Sequence, residues 1–203
     1  MKVGRTPATD LDRVRAARKA IGARTELFVD ANGAYARKQA LDFAQAFHAE
    51  GVTWFEEPVR TSDWEGFRFV RDRAPASLEI AGGEYGYDLA EFEKLLSAGT
   101  IDVLQADITR CAGLTEFLRV AALAEARGMP LSAHTAPSMH LHVGCAVRPL
   151  RHLEYFHDHV RIEGMFFDGV ARPVEGKLHP DLDRPGHGLE FREADAKRFE
   201  VLH

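Results

Sequence analysis

The chain alternates between two hydrophobic periods. Short apolar runs of strand length, at residues 27–29, 52–55, 78–80, 101–104, 129–133 and 151–153, end on or lead into a polar residue: Asp30, Glu56, Glu84, Asp107, His134 and Glu154 in turn. The steps between these six residues are 26, 28, 23, 27 and 20. Between the runs lie longer segments with apolar residues at helical spacing. Thr6-Pro7 opens a helix with Leu11, Val14, Ala17 and Ile21 on one face and Gly22 as its stop. A second helix runs from about 36 to 50, with Leu41, Ala44 and Phe47 inward and Gly51 ending it. Ser62-x-x-Glu65 reads as a capping box for the third, and Asp88-x-x-Glu91 opens a fourth that turns Leu89, Phe92, Leu95 and Leu96 toward the core. Residues 113–127 and 138–147 supply two more.

This is the grammar of repeated βα units, and it predicts an α/β fold: an incomplete (β/α) barrel of the TIM type, about six units in a single domain over residues 1–203. The Met-Lys-Val-Gly start reads as the tail of a strand already under way. A closed barrel has eight strands, so two are missing, and the deficit falls at the N-terminal side. Because the carboxyl ends of parallel barrel strands open on one face, the six polar residues are expected to converge on one site.

Composition narrows the function classes. The chain is 45% hydrophobic and 28% charged, as a soluble globular protein with one core would be. A net charge of −5 and an isoelectric point near 6.1, with Lys and Arg scattered along helices, argue against a nucleic-acid partner. No apolar run approaches bilayer length and no signal-peptide pattern opens the chain, so no membrane association and a cytoplasmic location are expected. Cys111 and Cys145 lie in separate segments without CxxC spacing and read as packed small residues. His140, His142, His152, His157 and His159 form no metal-ligand pattern and read as structural or rim residues.

Any one of the acids alone would read as a helix cap or a solvated loop residue. Capping does not explain a shared ligand chemistry on successive strand ends. Through VDANG, WFEEP, the GGE turn, LQAD-x-x-R-x-x-G, SAH and HLE, and then the late PGHGLEF, the chain resembles the C-terminal barrel of the enolase superfamily, specifically the mandelate racemase group. The resemblance covers nearly the whole chain and implies units corresponding to barrel strands 3–8, without the N-terminal capping domain. It implies that Asp30, Glu56 and Glu84 bind Mg²⁺, a hard cation suited to an all-oxygen ligand set.

The chemistry the resemblance implies is removal of a proton alpha to a carboxylate, giving an enediolate. Such a proton is too weakly acidic for a base alone at neutral pH, so a cation must meet the developing charge. By the same resemblance His134 is the base and Asp107 its partner, fixing the tautomer and raising basicity at the other nitrogen. Glu154 would hydrogen-bond the substrate carboxylate or the enediolate, in protonated form. Asn32 and Arg110 would make secondary contacts at the rim, and Glu57 would support the site by pairing with a cation. On the opposite flank the family has Lys-x-Lys; Lys2 fits the second lysine, and the first falls one residue before Met1. That suggests an internal methionine taken as the start, or a truncated gene, and makes activity of this chain an open expectation.

Dehydration of an acid sugar is the leading expectation, a small-molecule carboxylate being the partner. Racemisation or epimerisation of a 2-hydroxy acid is the alternative, less favoured because Lys2 sits at a terminus expected to be disordered. A third expectation, from a different class, is a catalytically inactive remnant or assembly partner. Two open sheet edges invite a homo-oligomer.

Overall fold

The computed structural model describes residues 1–201, which form two compact units: residues 1–85 with 90–105, and residues 86–89 with 106 onward. The first carries α1 (Pro7–Ile21), β1 (Leu27–Asp30), α2 (Arg37–Ala49), β2 (Val52–Glu56), α3 (Trp64–Arg71), β3 (Glu79–Gly82), most of α4 (Leu89–Ala98) and β4 (Val103–Ala106). Its strands pair in parallel and in chain order. Asp30 stands opposite Glu56 and Glu56 opposite Ala81, so the ends of β1 and β2 are level and their two acids are neighbours by register.

Helices cover these strands, so they read as apolar runs instead of alternating ones. Phe55 on β2 and Phe47 on α2 are both fully buried, with ring centroids 5.6 Å apart, and Phe43 and Tyr35 extend the stack at 5.0 and 4.6 Å. Each such ring contributes about 2–3 kcal/mol by burial alone. At the end of β3, Gly83 has φ +125°, and a Cβ there would lie 2.4 Å from the Gln105 carbonyl. Only glycine lets the chain pass β4 at that point and present Glu84.

Residues 1–3 are ordered. Val3 N donates to Asp30 O at 2.8 Å and Asp30 N to Met1 O at 3.0 Å, so Met1–Val3 lie alongside the end of β1 through an isolated parallel bridge between Lys2 and Asp30. The expectation of a disordered terminus at Lys2 is therefore overturned: backbone pairing on both sides of Lys2 fixes it, and the edge of β1 is occupied at Asp30. Gly4 is tied down in turn, its N–H donating to the fully buried Asp10, which also accepts from Tyr35 Oη, both at 2.7 Å. Burial and the Asp10 contact push the Tyr35 phenol well above its ordinary pKa and keep it neutral. The third helix is capped by Asp63, not Ser62: the Asp63 carboxylate accepts from Gly66 N at 3.1 Å and is held by Arg37.

The second unit carries α5 (Leu114–Ala126), β5 (Leu131–Ala133), α6 (Pro137–Ala146) and β6 (Leu150–Leu153), with β5 and β6 parallel. The fold class is the expected one, α/β with parallel strands each followed by a helix, an incomplete barrel of the TIM type. Beyond β6 come α7 (His157–Phe166), an antiparallel ribbon of β7 (Phe167–Asp168) and β8 (Glu190–Phe191), and the short α8 (Glu193–Ala196). The sequence reading missed α7 because the helix buries no residue and so leaves no apolar stripe to read. Cys111 is buried, and burial pushes its thiol up to about 11; Cys145 is exposed on α6, contrary to the packed position expected. Among the described residues no helix is long and apolar enough to cross a membrane.

Candidate functional site

In the first unit, Asp30 ends β1, Glu56 ends β2 and Glu84 follows β3 through the glycine turn; all three are buried. One carboxylate oxygen from each lies within 4.8 Å of the other two. Three buried anions at that separation repel one another strongly unless a cation is shared. Lys2 supplies one positive charge, its Nζ bonded to Asp30 Oδ2. Burial would lower the Lys2 pKa, but Asp30, Glu56 and Glu84 outweigh that and raise it. One ammonium against three carboxylates leaves the cluster negative, and an all-oxygen donor set of this spacing suits a hard divalent cation. The residues present therefore fit such an ion. Asp30 is held from its other side by Asn32 N at 2.8 Å; the Asn32 side chain itself is exposed, so its backbone makes this contact. Glu57 is buried in the left-handed region, at φ 41°.

The second unit assembles the imidazole. His134 Nδ1 lies 2.8 Å from Asp107 Oδ2, and His134 Nε2 lies 3.8 Å from Glu154 Oε2, so the ring stands between two carboxylates. Asp107 Oδ1 accepts from both Thr109 N (2.8 Å) and Thr109 Oγ1 (2.7 Å). Burial pushes Asp107 up, but the bonds from His134 and Thr109 prevail and hold it at about 2. An ionised Asp107 accepts the hydrogen bond of the Nδ1–H, which keeps the proton on Nδ1 and leaves Nε2 as the basic nitrogen. Arg110 Nε lies 3.6 Å from Asp107 Oδ2 and reinforces the charge. Glu154 Oε2 accepts from Thr135 N at 3.0 Å, which anchors the carboxylate beside the ring.

The loops that present the pair are fastened from beneath. His140 is fully buried; its Nε2 accepts from Ile108 N at 2.9 Å, so Nδ1 carries the proton and donates toward Thr135 O and Ala136 O at 3.0 and 3.1 Å. Burial lowers its pKa and keeps it neutral. Thr135 and Ala136 occupy the left-handed region at φ 45° and 36°, a strained pair that these contacts hold in place. His140 is thus structural as expected, with the added task of joining the loop after Asp107 to the loop after His134.

The acid response of the fold follows from Asp107. Its folded value lies below that of an unfolded aspartate, so on acidification the unfolded chain takes up the proton first. The stabilisation is complete above about pH 4 and is lost as the pH falls toward 2. Asp107→Asn is expected to flatten the decline of the urea midpoint over that window; an unchanged decline would contradict the assignment.

Sequence reasoning missed four contacts. Thr109 follows Asp107 by two residues, an Asx-type spacing that could have been read. Gln105 is a polar residue inside the otherwise apolar run 103–106, and Trp54 stands two before Glu56 on the same face of β2. Thr135 gave no signal, since its role depends on a left-handed backbone.

The sequence profile of the family described as enolase C-terminal domain-like matches residues 1–195. A solved mandelate racemase/muconate lactonizing enzyme-like protein from Rubrobacter xylanophilus is 53% identical with TM-score 0.93, covering 98% of this chain and 55% of that one. The 3,6-anhydro-alpha-L-galactonate cycloisomerase of Streptomyces coelicolor is 34% identical over 93% of this chain and 51% of its own length. L-talarate dehydratase from Polaromonas sp. JS666, solved with Mg and L-glucarate, is 31% identical with TM-score 0.85, covering 97% of this chain and 53% of that one. The chain spans about half the length of each of these relatives.

Proposed function

The chain belongs to the enolase C-terminal domain-like family, and from that membership we propose that it carries the metal-binding and proton-transfer residues of a Mg²⁺-dependent acid-sugar dehydratase. The observation that carries this reading is the buried trio Asp30, Glu56 and Glu84, with an oxygen of each within 4.8 Å of the others. These residues would hold the ion. When bound it supplies the positive charge that makes an alpha proton beside a carboxylate removable at neutral pH. His134 Nε2, left basic because Asp107 accepts the hydrogen bond of the Nδ1–H, takes up the alpha proton. The same nitrogen, now protonated, returns a proton to the beta hydroxyl, which departs as water; the resulting enol tautomerises to a 2-keto-3-deoxy acid. Glu154, fixed by Thr135 N, hydrogen-bonds the substrate carboxylate. Arg110 and Asn32 contribute at the rim.

Acid sugars as the substrate class are supported by the Polaromonas dehydratase, similar over nearly all of this chain, which was solved with L-glucarate. Racemisation of a 2-hydroxy acid is the second reading, favoured by one observation: Lys2 is ordered, with Nζ at the acidic cluster, as a second proton-transfer group would have to be.

Incubating the chain with a panel of acid sugars and Mg²⁺, with and without EDTA, tests the reading. The expected result is a 2-keto-3-deoxy product whose formation EDTA abolishes. Inversion at C2 without loss of water would support the second reading. No metal-dependent turnover of any acid would contradict both and favour an inactive remnant or assembly partner.

A further inference from the structure

Glu56 is held by two residues that no ligand set includes. Trp54 Nε1 donates to Glu56 Oε2 at 3.1 Å, and Gln105 Nε2 donates to the same oxygen at 3.3 Å. All three residues are buried, at 2%, 2% and 5% exposure for Trp54, Gln105 and Glu56. We infer that Trp54 and Gln105 are positioning residues for the cation site, fixing the plane of the Glu56 carboxylate before the ion arrives. The inference rests on the reading above that the acidic trio binds a divalent cation.

The geometry has a sequence origin. Trp54 and Glu56 are two apart on β2 and therefore point to the same face. The indole is itself immobilised, stacked on Phe28 with ring centroids 5.2 Å apart and packed against Ala81 and Val103. Gln105 lies on β4, with β3 between it and Glu56. β3 passes that row with Ala81, which stands opposite both Glu56 and Val103, and with Gly82 and Gly83 beyond. Small residues on the intervening strand leave the path across it open, so a glutamine and a glutamate meet over two strand spacings, about 9–10 Å.

Packing alone does not account for Gln105. Its carbonyl, Oε1, is buried without a hydrogen-bond partner among the described residues, a cost that an apolar side chain of the same size would avoid. What the amide gains in return is the bond to Glu56. Both donors are neutral, so they orient the carboxylate without cancelling the charge that the cation needs. A cationic partner in the same position would compete with the ion directly.

The test uses the full chain as wild type, Gln105→Met and Trp54→Phe. Calorimetric titration with Mg²⁺ is expected to show about a 10-fold weaker affinity for each variant. In ¹⁵N–¹H spectra of the wild type, the Trp54 indole resonance is expected to move on Mg²⁺ addition while that of Trp64 stays fixed, a response that a purely structural residue would not give. Gln105→Met keeps the test standing if loss of the indole disrupts the core. Variants that bind Mg²⁺ as the wild type does, or a Trp54 indole that ignores the ion, would overturn the positioning role alone. A wild type that binds no Mg²⁺ would overturn the cation site and the positioning role with it.

Discussion

Substituting His134→Asn is expected to lower the rate of alpha-proton exchange on an acid-sugar substrate by about 10²–10⁴-fold, the usual worth of a general base, while leaving Mg²⁺ affinity unchanged. Asparagine is close in size and can keep a donor toward Asp107, but it has no nitrogen able to take a proton at neutral pH. Asp107→Asn acts on the same nitrogen indirectly. An amide in that position no longer requires the proton on Nδ1, so the tautomer with a basic Nε2 loses its preference and exchange slows without loss of the metal. Loss of the ion in Asp107→Asn would refute the assignment of Asp107 to the base. Exchange measured by NMR in D₂O at the wild-type rate in His134→Asn would remove His134 from the proton path.

The second large effect is on the ion itself. Glu56→Gln deletes one of three buried negative charges and is expected to weaken Mg²⁺ binding by about 100-fold, the upper end of what even supporting residues contribute to a metal site. The consequence extends to stability. Whatever binds only the folded state stabilises it, by about 2.7 kcal/mol at a ligand concentration 100 times Kd. Thermal unfolding of the wild type is therefore expected to shift upward with Mg²⁺, and that of Glu56→Gln to shift far less over the same range. In EDTA the order reverses, because the variant has lost a repulsion that the metal-free wild type still carries. A wild type and a variant with equal Mg²⁺ response would count against Glu56 as a ligand.

What the sequence made legible, and what it concealed, has a physical pattern. Asp30 and Glu56 were readable because each terminates an apolar run, and parallel pairing then brings such ends level. Glu84 was readable only through its glycine pair, since the chain must squeeze past the Gln105 carbonyl to deliver it. His134 and Asp107 were found as a pair through resemblance, and the 2.8 Å contact between them agrees with that pairing. The closeness of Glu154 to the second nitrogen of the ring was not foreseen, because it depends on the strained turn at Thr135 and Ala136. Polar residues at apolar positions were the weakest point. Asp10 on α1 broke the helical stripe and was passed over, although its full burial ties Gly4 and Tyr35 together. Lys2 illustrates the opposite error: a position near the chain start was equated with disorder, when two backbone hydrogen bonds at Asp30 hold it beside the acids. The segment beyond Glu154 carried no periodic signal because no residue of α7 is fully buried.

The central claim is that one divalent ion is shared by acids from three successive strand ends. The most direct test is crystallography of the chain with Mn²⁺ in place of Mg²⁺, located by its anomalous scattering. A single strong peak is expected at coordination distance from carboxylate oxygens of Asp30, Glu56 and Glu84 together. A protein with no peak at these residues, or with a peak touching only one of them, would contradict it.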